Sequence, residues 1–285
     1  MHDKVVIVAG VQKSGTSSLY QLLSSHPEIA PSRRTETEFF TFPFEPEGAA
    51  QRYARYFPDE PDKWWLDVSP GYFVSPEAPR QIAEVTGTPR ILIIAREPVA
   101  RAYSAWKMQQ TKGSDLYPFE ESVRRTSHYL EHGRYATHAQ RFIDRFGSEN
   151  VQFLLFDDLK RQPAAVTSAI AKFLSIAPFE KNEVPSENVG GLPRSRAVVG
   201  ALSRFYRGRE KLRKAGLGGI VDHPAIDRFS RRLRNRVADW NRDPQAADPG
   251  PSDAARSYII EELAPEIDRF ERMIESDLSD WRMSA

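Results

Sequence analysis

The chain has 285 residues, of which 40% are hydrophobic and 28% charged, and its formal net charge is +1. This composition is ordinary for a folded globular protein, and the length suffices for one large α/β domain or two small ones. No stretch approaches the roughly 20 apolar residues that a membrane-spanning helix needs. The lack of cysteine excludes disulfide scaffolds and thiolate metal sites. Six scattered histidines show no metal-binding spacing, so we predict no protein-bound metal.

The amino-terminal residues lead directly into a strand-forming stretch, without the charged leader, apolar core and cleavage site of a secretory signal. Together with the lack of cysteine, this favours a cytoplasmic location. We predict neither a nucleic-acid partner nor a membrane partner.

Four segments are predicted as β-strands from their runs of apolar and β-branched residues. The first, third and fourth are nearly continuous apolar runs, which are typical of parallel strands buried on both faces. The predicted strands cover residues 4–10, 64–69, 90–96 and 150–157.

Helical patterns lie between these strands and after the last one. Alternation of strand and helix predicts right-handed crossovers and an open parallel sheet with helices on both faces. Several of the patterns have a proline near their start, where its missing N–H is harmless. The predicted helices are Thr16–Ser25, Pro76–Val85, Val99–Gln110, Phe119–Tyr129, Tyr135–Phe146, Pro163–Leu174, Arg196–Ala215, Pro224–Trp240 and Ser252–Ile274.

These elements predict a three-layer α/β fold with a central parallel sheet and a helical carboxyl-terminal region. We predict one domain over residues 1–285, with the sheet in about the first 160 residues. The helices after residue 160 offer little independent core. The polar loop at 241–253, rich in Pro, Asp and Gly, is the clearest internal break.

The stretch VAGVQKSGTSSLYQLLSSHPEI, residues 8–29, is close to the nucleotide-binding pattern G-x-x-x-x-G-K-S/T, but its lysine precedes the second glycine. A strand, a glycine turn and a helix present backbone N–H groups to an anion, whose charge the helix dipole favours. We therefore predict a site for a phosphate-like group. Its residues are Lys13, Ser14, Gly15, Thr16, Ser17 and Ser18.

A second anion anchor is predicted after the third strand. Arg96 follows the carboxyl end of that strand, where open α/β sheets bind ligands. Ser104 follows on the next predicted helix. An arginine fork and a serine hydroxyl together suit a second phosphate group.

Three stretches resemble the PAPS-dependent sulfotransferases, in particular the heparan-sulfate sulfotransferases and their bacterial relatives. They are GVQKSGTSSLYQLLSSHPEI (10–29), LDVSPGYF (66–73) and AREPVARAYSAW (95–106). PAPS, 3′-phosphoadenosine 5′-phosphosulfate, has two separate anionic groups. The resemblance implies a P-loop-like α/β fold in which residues 10–18 hold the 5′-phosphosulfate. It also implies that Arg96 and Ser104 hold the 3′-phosphate.

The two catalytic tasks of sulfuryl transfer point to two residues. As in phosphoryl transfer, negative charge grows on the leaving oxygen while the acceptor loses a proton. Lys13, with the loop amides, is predicted to stabilise the leaving phosphate. Glu36 in RRTETEFFTF (33–42) matches the position of a family glutamate and is predicted to be the base. We expect neighbouring aromatic rings to raise its proton affinity. Glu38 could share or exchange that role.

Further contacts follow from the resemblance. Asp67, Ser69 and Tyr72 lie near another strand end and, with Glu38, are predicted to bind the acceptor. Heparan-sulfate relatives have a lysine where this chain has Val68, which argues against the same polysaccharide as substrate. Arg194 lies where relatives have a basic loop that closes over the cofactor, and Arg196 could substitute for it.

A strongly basic segment has no assigned role. Residues 191–236 contain 13 Lys and Arg against 3 Asp and Glu. Such a segment attracts anionic ligands, nucleic acid or a membrane surface, or it forms the solvated face of a helix. No aromatic-glycine motif of a nucleic-acid-binding protein accompanies it.

The sequence therefore predicts an enzyme that moves the sulfuryl group of PAPS to a hydroxyl of a carbohydrate or small metabolite. The product of the donor would be 3′-phosphoadenosine 5′-phosphate. Two alternatives stay open: a Mg-ATP-dependent P-loop kinase or NTPase, with Asp67 as a metal ligand, and a non-catalytic anion-binding module. The shifted lysine argues against the first alternative.

Overall fold

The computed structural model describes residues 2–181, 192–195, 197–201, 204, 208, 233, 236–237, 240–243 and 248–283. These residues belong to two compact units. Unit 1 comprises residues 1–101, 130–187 and 259–285, and unit 2 comprises residues 102–129 and 188–258. The single domain stays a prediction. Within the helices predicted at 196–215 and 224–240, residues 197–201, 204, 208, 233, 236–237 and 240 are described and are helical. The rest of these two helices, and most of the basic segment, lie outside the described residues.

Unit 1 is built on a five-stranded parallel sheet, which confirms the predicted fold class. The strand order is β2-β3-β1-β4-β5. Its central strand β1 is buried along its whole length, as its apolar sequence VVIVAG predicts. The strands are β1 Val5–Gly10, β2 Ile29–Pro31, β3 Trp64–Val68, β4 Arg90–Ala95 and β5 Val151–Leu155.

Helices follow or precede each of these strands. In α7 the side chains of Tyr135, Ala139, Phe142 and Phe146 recur at helical spacing and are buried. The helices are α1 Thr16–Ser24, α2 Ala49–Ala54, α3 Ala78–Thr86, α4 Pro98–Lys112, α5 Phe119–Arg125, α6 His128–Glu131, α7 Tyr135–Phe146, α8 Phe156–Arg161, α9 Pro163–Leu174 and α10 Asp253–Ile274.

Two of the predicted boundaries were wrong. The fourth strand ends at Leu155, two residues early, because Phe156 begins α8 and two aspartates lie in the first turn of that helix. The helix predicted at 119–129 breaks at Thr126, which has an extended backbone (φ −139°, ψ 135°). Strand β2 was not predicted, since its three residues are too few to show a periodic pattern.

The parallel register brings the carboxyl ends of three strands together. Val8 of β1 lies beside Val68 of β3 and Leu92 of β4. The chain therefore leaves β1, β3 and β4 at one edge of the sheet, where it enters the turn before α1, the segment after Val68 and Arg96. This is the edge at which open α/β sheets bind ligands.

Unit 2 contains the short antiparallel strands β6 Leu192–Pro193 and β7 Arg242–Asp243. Asn241, which precedes β7, bonds to Ser195, which lies two residues after β6. The Asn241 amide nitrogen donates to the Ser195 carbonyl at 3.0 Å, and its Oδ1 accepts from the Ser195 N–H at 2.9 Å. Asp248 receives a hydrogen bond from the Tyr103 hydroxyl (2.6 Å) and pairs with Lys107 (2.5 Å), both on α4.

Close packing at the end of β1 leads to a stability prediction. A Cβ added to Gly10 would lie 2.6 Å from the Cβ of Phe73, which is fully buried. We expect Gly10→Ala to lower the free energy of unfolding by about 1–3 kcal/mol, because the Phe73 backbone must shift. Urea unfolding measures the effect. Gly200→Ala is the control, since its added Cβ meets no atom of the described residues within 4 Å. Equal stabilities of the two variants would contradict the prediction.

Candidate active site

The turn between β1 and α1 has the geometry of an anion-binding loop. Lys13 (φ 70°) and Gly15 (φ 90°) both adopt left-handed backbone conformations, which is unusual for a lysine. The Ser14 N–H donates to the Val11 carbonyl at 3.1 Å and closes the turn. Helix α1 then begins at Thr16 without a side-chain cap. The first N–H groups of a helix have no carbonyl partner in the preceding turn, and such groups bind anions.

Buried polar groups line this loop. Ser14 is fully buried, and its hydroxyl makes no hydrogen bond to any described residue. Thr16 and Ser18 are also buried, whereas Ser17 is exposed. A buried hydroxyl without a partner is costly and is explained when a ligand supplies the missing partner. The loop therefore fits a phosphate-like group such as a 5′-phosphosulfate.

Arg96 lies against this loop. Its Nη1 donates to the carbonyl of Lys13 at 3.2 Å, and its guanidinium lies 4.7 Å from the ring centroid of Phe156. The structure thus brings together Lys13 and Arg96, which are far apart in sequence. A guanidinium has five N–H donors, so this single bond is compatible with a bidentate hold on a phosphate.

Tyr135 contacts the backbone of Arg96, and the charges of Arg101 and Arg96 influence each other; neither Tyr135 nor Arg101 was found from the sequence. The Tyr135 hydroxyl donates to the Arg96 carbonyl at 2.7 Å. Arg101 is fully buried, and burial lowers the pKa of its guanidinium, which nearby Tyr135 raises in part. Burial also raises the pKa of Tyr135 to about 12. Arg101 lies in the first turn of α4, and Tyr135 begins α7. Neither sequence pattern indicates that these residues lie near Arg96.

Two predicted cofactor ligands belong to unit 2. Ser104 is half-buried on α4. Arg194 is exposed next to β6, and its backbone N–H donates to the Asn241 carbonyl at 2.6 Å. Their part in the same site stays a prediction. Arg196 lies outside the described residues.

The two glutamates of the predicted base segment differ in their surroundings. Glu36 is exposed. The expectation that aromatic rings bury its carboxylate was therefore wrong. Glu38 is half-buried with a left-handed backbone (φ 51°). Its Oε1 accepts from the Gly71 N–H at 3.2 Å, and its Oε2 accepts from the Thr41 hydroxyl. Glu38 therefore joins its own turn to the turn after β3, whereas Glu36 faces solvent.

Asp67, Ser69 and Tyr72 are all fully buried, and Ser69 and Tyr72 donate to the Asp67 carboxylate. Direct contact with an acceptor stays a prediction for these three residues. Val68 is 2% exposed and belongs to the hydrophobic core. Its side chain is accordingly part of the packing.

The parallel sheet and the loop between β1 and α1 define a P-loop-like fold, and the geometry of that loop suits a phosphate-like group. The sulfotransferase domain family matches residues 3–188, about two thirds of the chain. The chain belongs to the sulfotransferase family, as predicted. Among the described residues, every helix is too short or too polar to cross a lipid bilayer.

Two curated relatives act on heparan sulfate according to their names. The chain is 26% identical over 270 residues to the bifunctional heparan sulfate N-deacetylase/N-sulfotransferase 1 of Caenorhabditis briggsae, covering 82% of this chain and 31% of the relative. It is 26% identical over 196 residues to the heparan sulfate glucosamine 3-O-sulfotransferase 5 of Mus musculus, covering 62% of this chain and 56% of the relative. The chain thus spans about a third of the first relative and about half of the second.

A solved structure shares the fold. The sulfotransferase from Alicyclobacillus acidocaldarius superimposes with a TM-score of 0.64 and 23% identity. The match covers 98% of both chains. It supports the sheet-and-helix architecture described above.

Proposed function

We propose that this protein transfers the sulfuryl group of PAPS to a hydroxyl of a carbohydrate or small-metabolite acceptor. The observation that carries the proposal is the loop at 13–18, where the buried Ser14 hydroxyl bonds to none of the described residues and the Arg96 guanidinium donates to the Lys13 carbonyl. This arrangement provides backbone donors and two cations for a ligand that has more than one anionic group.

Within this proposal PAPS supplies the sulfuryl group, and residues of the chain bind it and move one proton. Lys13 is the group that stabilises charge on the leaving phosphate, assisted by the N–H groups of Thr16 and Ser17. Glu36 takes the proton of the acceptor hydroxyl; it is an exposed residue at the position of the family glutamate. The roles of Ser104 and Arg194 as cofactor ligands remain predictions from the sequence.

The class of acceptor is proposed from the named relatives and from the residue at position 68. The named relatives act on heparan sulfate. In this chain, however, the position of their lysine is Val68, a core residue that offers no charge to a polysaccharide. We therefore favour a smaller acceptor with a free hydroxyl over a highly sulfated polymer. A cytoplasmic location remains a prediction.

Binding of 3′-phosphoadenosine 5′-phosphate with and without magnesium tests the function. We expect calorimetry to give the same affinity in EDTA and in magnesium, and much weaker binding of ATP. A kinase or NTPase would require magnesium for tight ATP binding. The buried Asp67 carboxylate, which accepts from several hydroxyl groups, does not fit the metal ligand of that alternative. Transfer of labelled sulfate from PAPS to a panel of hydroxyl acceptors then separates an enzyme from a non-catalytic module.

Replacement of Arg96 should remove selectivity for the 3′-phosphate. We expect Arg96→Ala to weaken binding of 3′-phosphoadenosine 5′-phosphate about 10- to 100-fold, as hydrogen bonds to charged groups contribute about 1.5–3 kcal/mol. Binding of adenosine 5′-phosphate, which lacks the 3′-phosphate, should change much less. Calorimetry with both nucleotides measures this ratio.

Arg90→Ala is the matched control for this prediction. Arg90 begins the same strand at the opposite edge of the sheet, where its Nη1 donates to the Glu149 carbonyl at 2.8 Å. Its replacement should leave both nucleotide affinities unchanged. Equal losses for the two nucleotides in Arg96→Ala would show that Arg96 contacts a part they share.

A further inference from the structure

Five side chains form a buried polar cluster next to the base segment, here called the Asp67 cluster. At its centre the Asp67 carboxylate is fully buried. The Ser69 hydroxyl donates to its Oδ1 at 2.7 Å. Three more hydroxyl groups donate to its Oδ2, those of Thr37 at 2.9 Å, Tyr72 at 2.9 Å and Tyr53 at 3.0 Å.

The direction of these hydrogen bonds follows from the number of protons. Each hydroxyl has one proton, and an ionised carboxylate only accepts. A hydroxyl that donates to Asp67 therefore presents its lone pairs to other groups. Burial raises the pKa of Tyr53 and Tyr72 well above the usual value, so both hydroxyls keep their protons near neutral pH.

The lone pairs of three of these hydroxyl groups accept hydrogen bonds from the base segment. The longest of these bonds runs from the Phe39 N–H to Thr37 Oγ1 at 3.3 Å. The Glu38 N–H donates to Ser69 Oγ at 3.0 Å, and the Phe39 N–H donates to the Tyr72 hydroxyl at 2.9 Å. These bonds fix the backbone two and three residues after Glu36. They also support the left-handed conformation of Glu38, which would otherwise be unfavourable.

Burying a carboxylate costs free energy, so its place at the centre of the cluster needs a physical reason. Burial raises the pKa of Asp67, and the hydrogen bonds from the four hydroxyl groups lower it only in part. A neutral side chain at this position would be cheaper to bury. The carboxylate has two acceptor oxygens, so it can accept hydrogen bonds from four hydroxyl groups at once. An amide has one acceptor oxygen, and an apolar group has none.

We infer that Asp67, Ser69 and Tyr72 are positioning residues, which orient Glu36 by fixing the backbone of the base segment. The inference rests on the proposed function, in which Glu36 is the base. It gives these residues a different role from the acceptor contact that the sequence predicted. The two roles separate kinetically: loss of positioning lowers kcat, whereas loss of an acceptor contact raises the acceptor KM.

A matched pair of tyrosine variants tests the inference. Tyr72 and Tyr53 are both buried and both donate to Asp67, but Tyr72 also accepts from the Phe39 N–H, and Tyr53 meets the segment through ring contacts with Phe39 and Phe40. We expect Tyr72→Phe to lower kcat about 10- to 100-fold, the size of loss that misplacement by about 1 Å produces. Tyr53→Phe should lower it less than about 3-fold, since its ring contacts remain. The acceptor KM and the affinity for 3′-phosphoadenosine 5′-phosphate should change little in either variant.

Hydrogen exchange provides a readout that does not depend on turnover. The amides of Glu38 and Phe39 should exchange faster in Tyr72→Phe than in Tyr53→Phe. Equal falls in kcat, or a raised acceptor KM with unchanged kcat in Tyr72→Phe, would overturn the inference and leave the sulfotransferase function intact. A wild-type protein that binds no 3′-phosphoadenosine 5′-phosphate would instead overturn the proposed function, and the positioning role with it.

Discussion

Lys13→Ala should lower kcat for sulfuryl transfer by about 10²- to 10³-fold, the loss seen when one preorganised group that stabilises developing charge is removed. Lys13 lies within the turn after β1, where its backbone is fixed in the left-handed region (φ 70°). Alanine keeps the Cβ, so the variant has the same backbone strain as the wild type. The loss would therefore report on the ammonium group.

The measurement compares single-turnover rates of sulfate transfer with calorimetric affinities for 3′-phosphoadenosine 5′-phosphate. The fall in rate should exceed the fall in affinity, because leaving-group charge is greatest in the transition state. Lys4→Ala is the control: this exposed lysine precedes β1 at the opposite edge of the sheet and donates to the Asp62 carbonyl. A Lys13→Ala rate within a few-fold of the wild type would remove the lysine from the chemistry.

The parts of this fold that sequence predicted are those set by local patterns. The apolar runs of β1 and β4 reveal strands that are buried almost throughout, because both faces of each strand require apolar side chains. The fourth predicted strand, β5, lies at the edge of the sheet and is half-buried at three of its five residues. The glycine spacing after β1 reveals the loop in the same way, since few residues adopt its backbone conformations. Apolar runs do not mark where a strand ends, since Phe156 continues the apolar run of β5 and yet begins helix α8.

The missing parts of the site depend on contacts between residues distant in sequence. Tyr135 reaches the Arg96 carbonyl from 39 positions away, and Tyr53 reaches Asp67 from 14. No local pattern marks such pairs. The same limit applies to the acidic pair at 36 and 38. Both lie in one polar stretch, and what distinguishes Glu38 is its partial burial and its hydrogen bonds from the Gly71 N–H and the Thr41 hydroxyl.

The second large effect on kcat is expected at Glu36, the exposed residue of the acidic pair. Glu36→Gln should lower kcat by about 10²- to 10⁴-fold, the usual contribution of a general base, because the amide cannot take the acceptor proton. Since Glu36 is exposed, the change should leave the free energy of unfolding nearly unaltered. The affinity for 3′-phosphoadenosine 5′-phosphate should also be largely retained, because the base and the anion loop are separate.

Glu38→Gln provides the contrast that assigns the base. Its two carboxylate oxygens accept from the Gly71 N–H and the Thr41 hydroxyl, and an amide NH₂ would face one of these donors. We expect a loss of about 1–3 kcal/mol in stability, as for a disrupted buried hydrogen bond, and a smaller loss of kcat than in Glu36→Gln. Urea unfolding and steady-state kinetics on the same preparations measure both. A wild-type rate in Glu36→Gln, together with a stable but inactive Glu38→Gln, would contradict the assignment of Glu36 as the base and favour Glu38 in that role.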